Sequence, residues 1–247
     1  MKKGQESVIH LHPTGFNEPD GCTSGGSCIA ASDAATVWKT QLEPLKRDFG
    51  VKLGAPAVTG ATTGFTWLQN FFTACSAQSS NGTSCDVDFI PVHWVRHCHL
   101  PRRERSKLTH TPQYGNFEGL ASHIGQVNAT YAKNVSAIWV TEFACADCNL
   151  NDAQYFYNQS TSYLDDQLDY VTHYSYFGAF RSDVSNVGPN AAFLTSNGKL
   201  TDIGSWYLGH GETGNVPKAA KSSSASPVAK FAGWSVVVGI SVFWALV

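Results

Sequence analysis

Strand-like and helix-like segments alternate through five units of the chain, which predicts an α/β fold: a parallel sheet with helices outside it. Barrel closure is one of the two usual outcomes of that pattern. Two further observations agree. The 247 residues are 43% hydrophobic and only 15% charged, enough for one large domain with a sizeable core. The residues suited to chemistry stand at the ends of the apolar segments, where barrel enzymes keep theirs.

Residues 1–14 are polar and slightly basic, with no apolar core of a signal peptide. His10 and His12 alternate like a strand-borne metal pair, but no third ligand accompanies them, and no metal or cofactor is expected. The first strand ends in Gly15-Phe16-Asn17-Glu18-Pro19-Asp20. Pro19 stops regular pairing and leaves a carboxyl group at the strand tip beside an amide. Ser32 or Asp33 is expected to cap a helix running to Phe49, kinked or shortened by Pro44. Residues 51–58 read as a strand, and residues 65–77 as a helix with Trp67, Phe71 and Cys75 on one face. Residues 87–94 form the next strand, ending in His93 and Trp94. Phe117, Leu120, Ile124, Val127 and Tyr131 then recur with helical spacing. Residues 138–143 make an apolar strand that delivers Glu142 near its tip. A helical region over 152–168 and a last strand over 174–180 complete the alternation. Two strand-end glutamates far apart in sequence are the carboxyl pair that a glycosidase needs.

The net charge of −2 argues against a general nucleic-acid binder. Aromatic residues make up 12% of the chain, more than a core alone usually uses, and sugar-binding clefts are one common reason. Sequons at Asn81, Asn128, Asn134 and Asn158 fit a secreted glycoprotein. The 7 cysteines contain three close pairs, Cys22/Cys28, Cys75/Cys85 and Cys145/Cys148, with Cys98 left over. They read as local disulfide staples. Only the last pair has metal-ligand spacing, and no second such pair follows it.

The order and spacing of GFNEPD, KLGAPAVT, DFIPVHW, WVTEFAC and YFGAF resemble fungal glycoside hydrolase family 128, from about residue 15 to 208. The resemblance implies a (β/α)8 barrel of the TIM type and a retaining β-1,3-glucanase. It makes Glu18 the acid/base and Glu142 the nucleophile. Asn17 would bind the 2-hydroxyl of the sugar at the cleavage point, and His93, Trp94 and Tyr114 would line the glucan groove. Trp67 and Tyr176 offer further ring faces for stacking, as does Trp139, whose expected role is core packing. On this reading GFNEPD follows the fourth strand, so only about the last five β/α units are present, after an atypical leader at 1–14.

A second departure from the family pattern is the basic segment 95–113, whose removal joins Trp94 to Tyr114-Gly115 and restores that pattern. Its coding possibilities fit a retained in-phase intron, which would also account for the odd Cys98. The rival is a basic loop for an anionic partner. Residues 209–230 read as a Gly/Ser/Ala-rich linker. The apolar stretch 231–247, with small residues at Ser222, Ser223 and Ser224 ahead of it, resembles a GPI-attachment signal, with a plain membrane tail as the alternative. The expectation is a monomeric, wall-facing β-1,3-glucan hydrolase anchored at the plasma membrane. A wall-associated glucan-binding protein without turnover is the alternative from a different class.

Overall fold

The computed structural model describes residues 15–23, 25–97, 117–133, 135–166 and 169–219. The chain folds as an α/β structure around a parallel sheet, in which β1 (Phe89–His97), β2 (Ala137–Ala146) and β3 (Val171–Tyr176) lie side by side in chain order. Two earlier extended segments continue the sheet beyond β1. Residues 53–58 run parallel to β1 through a Gly54–Phe89 bridge, and residues 15–18 run parallel to them through an Asn17–Ala57 bridge. Residues 51–58 therefore pair by isolated bridges and not as the regular strand expected. Leu53 through Val58 are all buried, and a side chain on Gly54 would run into the Phe89 ring. Among the described residues no strand covers the outer edge of β3.

The helices pack outside. The segment after the first extended row is continuous from α1 (Ala31–Val37) through a π-helical turn at Trp38–Leu42 into α2 (Glu43–Phe49). The π-turn explains how Pro44 is tolerated. Proline has no N–H for the residue four back and its ring crowds that carbonyl, and one residue of slack just before it removes both conflicts. The cap expected at Ser32 or Asp33 is instead Ala30, without a side-chain bond. Helix α3 (Thr62–Ala77) starts before the expected residue 65 and buries Gly64, Leu68, Phe71 and Cys75, while Trp67 is only half-buried. Helix α4 (Phe117–Tyr131) buries Leu120, Ile124, Val127 and Tyr131 as its spacing predicts, and His123 with them. Helix α5 (Leu150–Asp166) covers β2 through Ala153, Phe156 and Leu164. The core runs from Trp38, Phe71 and Leu53 through Ile90, Val92 and Val140 to Phe143 and Phe156.

The last strand lies earlier than residues 174–180. Beyond Tyr176 the chain turns at Gly178, whose carbonyl accepts the Phe193 N–H, and a side chain there would meet the Ala191 carbonyl. Residues 95–97 continue β1 in register with β2, so they belong to the strand; residues 98–113 lie outside the described residues. Disulfides join Cys22 to Cys28, Cys75 to Cys85 and Cys145 to Cys148.

Residues 209–219, read as linker, are tied to the body. The Asp202 carboxylate, in α6 (Asp202–Tyr207), accepts the N–H groups of Thr213 (2.7 Å) and Gly214 (2.9 Å), and Lys218 O accepts the Ser182 hydroxyl. Desolvation alone would raise the Asp202 carboxyl, but its donors together outweigh this and hold it below the ordinary carboxylate value. Its contribution is therefore present above the unfolded pKa of ~3.9 and is lost as the pH falls through the lower folded value. Asp202→Ala is expected to open residues 209–219 to a protease at neutral pH, read as new cleavage there by mass spectrometry with the core intact. Acidification should loosen the same segment in the unaltered protein.

Candidate active site

Glu18 stands where the first extended row ends. Its N–H donates to the Ala57 carbonyl (2.7 Å), and its own carbonyl accepts the Gly21 N–H (2.8 Å). Between these bonds its φ is +40°, left-handed backbone on a non-glycine residue immediately before proline. Such a conformation costs on the order of 1–3 kcal/mol and persists only where the surroundings over-determine it. Asp20 is one constraint: its carboxylate accepts the Thr59 N–H (2.9 Å) and the Thr59 hydroxyl (2.5 Å). The loop closed by Cys22–Cys28 is the other. It returns Ser27 N–H to the Asn17 carbonyl and Ile29 N–H to the Pro19 carbonyl, and it lays Gly26 directly on the Glu18 and Gly21 carbonyls.

Glu142 is aimed by a β-bulge. Val92 pairs with Val140, but the next β1 residue, His93, pairs with Glu142, so Thr141 is an extra residue in β2. The same stretch is irregular against β3, where Val140 pairs with Tyr174 and Phe143 with Tyr176. Side chains alternate with period two, so without the extra residue Glu142 would stand opposite Trp94 and face away from His93.

His93 lies between the two acids. Its Nδ1 is 3.2 Å from Glu18 Oε1 and 3.5 Å from Glu142 Oε2, with the imidazole 4% exposed and each carboxylate 26% exposed. One ligand atom from each of the three residues lies within 4.8 Å of the others, the one group among the described residues that could hold a metal ion. Burial pushes the Glu142 carboxyl up, His93 pulls it down, and the neighbouring Glu18 charge pushes it up again; the net direction is upward. Two facing carboxyl groups this close can divide the work between a proton donor on one side of a bond and a nucleophile or base on the other.

The sequence candidates separate into two sets. Glu18, Glu142 and His93 converge, and Asn17 is exposed beside Glu18, one of its amide donors engaged by the Gly25 carbonyl at 3.2 Å. His93 sits between the acids, where a groove-lining role was expected. Trp94 is buried, with His123 stacked on it at 5.3 Å and the Arg96 guanidinium 4.6 Å from its ring centre, so it lines no groove. Tyr176 is buried too, edge-on to Phe143 at 5.2 Å. Trp67 stacks on Phe71 at 5.8 Å and donates its indole N–H to the Ile29 carbonyl. Trp139, half-buried, packs on Phe89 with ring centres 4.0 Å apart, outside the main core cluster. Tyr114 and Asn134 lie outside the described residues; Asn81 and Asn158 are exposed and Asn128 half-buried.

Two features escaped sequence reasoning. Asp20 was part of the quoted stretch, and an acid just after a strand-ending proline is a signal for a turn clamp. His97 and Asp147 pair at 2.9 Å at the ends of β1 and β2, hidden because His97 fell in the segment read as an interruption.

Residues 7–207 match the family described as glycosyl hydrolase catalytic core. The chain is 31% identical over 202 residues to alkali-sensitive linkage protein 1 of Schizosaccharomyces pombe, covering 78% of this chain and 32% of that protein. It therefore spans about a third of the length of that curated relative. Among solved structures it resembles an exo-β-1,3-glucanase of glycoside hydrolase family 128, subgroup VI, from Aureobasidium namibiae, at TM-score 0.60 and 17% identity, over 80% of this chain and 66% of that one. It also resembles a subgroup II endo-β-1,3-glucanase of the same family from Sorangium cellulosum, at TM-score 0.58 and 26% identity, over 81% of this chain and 69% of that one. Motif order, fold and these likenesses converge: the chain belongs to the glycosyl hydrolase catalytic-core family, with family 128 β-1,3-glucanases as its structural neighbours.

Proposed function

We propose that this chain is the catalytic part of a retaining glycoside hydrolase that cuts β-1,3-glucan, with Glu18 as acid/base and Glu142 as nucleophile. The observation that carries the reading is the pair of half-buried carboxylates converging on one buried imidazole. One oxygen of each lies within 4.8 Å of one oxygen of the other, which is compatible with the ~5–5.5 Å carboxyl separation of retaining pairs. The five parallel rows are, on this reading, an arc of a (β/α)8 barrel with its chemistry at the C-terminal strand ends.

In the first step Glu18 protonates the glycosidic oxygen while a Glu142 oxygen bonds to the anomeric carbon and the glucan leaves. Water deprotonated by Glu18 then releases the glycosyl group and restores both acids. His93, in contact with both, steadies whichever carboxylate carries the charge. The protein is proposed to act on wall glucan outside the cell, glycosylated at its sequons, as a monomer. Residues 231–247 would serve as the attachment signal or membrane tail, and the segment 95–113, whose first three residues belong to β1, would be a retained in-phase intron or a basic loop for an anionic partner.

Reducing-sugar release from laminarin tests the activity, and glucan binding without release would favour a binding role instead. The first product observed by NMR should be the β-anomer; an α-anomer would refute retention. Glu142→Ala is expected to abolish turnover on every substrate. Glu18→Ala should lower turnover of the natural glucan by ~10²–10⁴-fold and spare aryl glycosides with good leaving groups. Equal losses on both substrates would contradict the acid/base role.

A second prediction concerns pH. The nucleophile must be ionised and its carboxyl is held up by burial, so the acid limb of kcat/KM should lie above the ordinary glutamate value of ~4.3. His93→Gln removes the group that pulls Glu142 down and should move that limb to higher pH. A limb that stays in place would show that His93 does not set the charge of the pair.

A further inference from the structure

A second opening lies further along α3. A cavity of 790 Å³ is bounded by α3, by the residues leading into β1 and by the end of α4. Gln69, Asn70 and Thr73 from α3, Ser84 and Asp86 before β1, and Thr130 from α4 supply amide, hydroxyl and carboxylate groups around it. Phe72 adds a half-buried ring on one side, packed against Tyr131 at 5.4 Å. Tyr131 forms part of the wall, and its phenol oxygen is buried with no hydrogen-bond partner among the described residues. The cavity is remote from the carboxyl pair. Val87 in its lining precedes the first residue of β1, while His93 lies four residues further along that strand, about 13 Å at ~3.3 Å per residue.

Volume and lining together indicate the ligand. Small-molecule sites occupy about 300–1,000 Å³ and pair apolar or aromatic surface with a few placed polar groups. Here amides and hydroxyls dominate, no lysine or arginine lines the opening, and Asp86 is the one charged lining residue. That lining offers an anion no direct cationic partner and suits a neutral polyhydroxylated chain, whose hydroxyls pair with amides and carboxylates and whose C–H faces lie on a ring. Asp86 also accepts a bond from Lys46 Nζ at 2.8 Å, so its carboxylate is held in place before a ligand arrives.

We propose that this cavity between α3 and α4 is a second, non-catalytic glucan-binding site that holds the polymer away from the point of cleavage. The identity of the sugar rests on the proposed function; the existence of a saccharide site does not. Such a site raises the local concentration of chain at the carboxyl pair without a new catalytic contact.

The test uses the full chain. Glu142→Gln is titrated with laminarihexaose by calorimetry and by NMR shift mapping, where shifts are expected at residues 69–73 and 84–87 as well as around Glu18. Gln69→Ala with Thr73→Ala is then added; both positions are exposed on α3, and alanine suits a helix. The double variant should lose the α3–α4 shifts and bind insoluble curdlan at least fivefold more weakly, while kcat/KM on a short soluble substrate stays within twofold of the unaltered enzyme. Hexaose that shifts only residues around Glu18, or curdlan binding unchanged in the double variant, would overturn the second site. If the chain shows no hydrolysis at all, the α3–α4 shifts still decide this proposal independently of the catalytic one. No saccharide binding anywhere would remove both.

Discussion

Holding two carboxyl groups close together and partly out of water is the constraint on which the rest of this structure depends. At an effective dielectric of about 20, like charges some 5 Å apart repel by ~3 kcal/mol, a sizeable share of a typical domain's whole stability. Two responses are visible. One acid is biased towards its neutral form by burial, and an imidazole is wedged against both.

The backbone is arranged around the same demand. Glu18 is held in a left-handed conformation and Glu142 is turned by an extra residue, so each acid occupies an irregular point of an otherwise regular sheet. A short disulfide loop follows each acid: Cys22–Cys28 spans 6 residues after Glu18 and Cys145–Cys148 spans 3 after Glu142. Loops this short remove little entropy from the unfolded chain, since that gain grows with the residues enclosed. Their main effect is on local geometry. The first holds Gly26 against the Glu18 turn, and the second holds Asp147, itself at positive φ, beside His97. Cys75–Cys85, at the far end of α3, bears on the core and not on the acids.

This explains which parts of the molecule were legible in the sequence. The alternation of apolar strand and amphipathic helix announced the parallel sheet, because burial on both faces leaves an apolar run and burial on one face of a helix leaves a 3.6-residue period. Glu18 and Glu142 were legible because a strand that ends in a carboxylate is chemically conspicuous. Side-chain direction was not. Trp94 looks like the natural neighbour of His93 in a groove, but adjacent strand residues face opposite ways, and Trp94 goes into the layer beneath α4 between His123 and Arg96. Thr141 carries no mark of a bulge, since nothing in its chemistry announces that it will be skipped by the ladder. Pro44 was rightly read as a disturbance, but its remedy, a π-turn before it, depends on Trp38 reaching the core and donating its indole N–H to Asp86 O.

The fate of the aromatic residues bears on how a polymer is held. Trp94 and Tyr176 are buried and serve packing, whereas Trp67 and Trp139 are half-buried, Trp67 beside the opening that Asp20 and Thr63 line. On the proposed function the acids would cut the chain, and holding it between encounters is a separate demand. Retention is then the task of surface elsewhere, and the cavity between α3 and α4 has the polar lining and the ring for it. The two sites face different demands. The acids need partial exclusion of water and fixed geometry at some cost in strain. A holding site needs only hydroxyl-matched groups on rigid helices, which exposed amides and threonines on α3 supply with no penalty to the core.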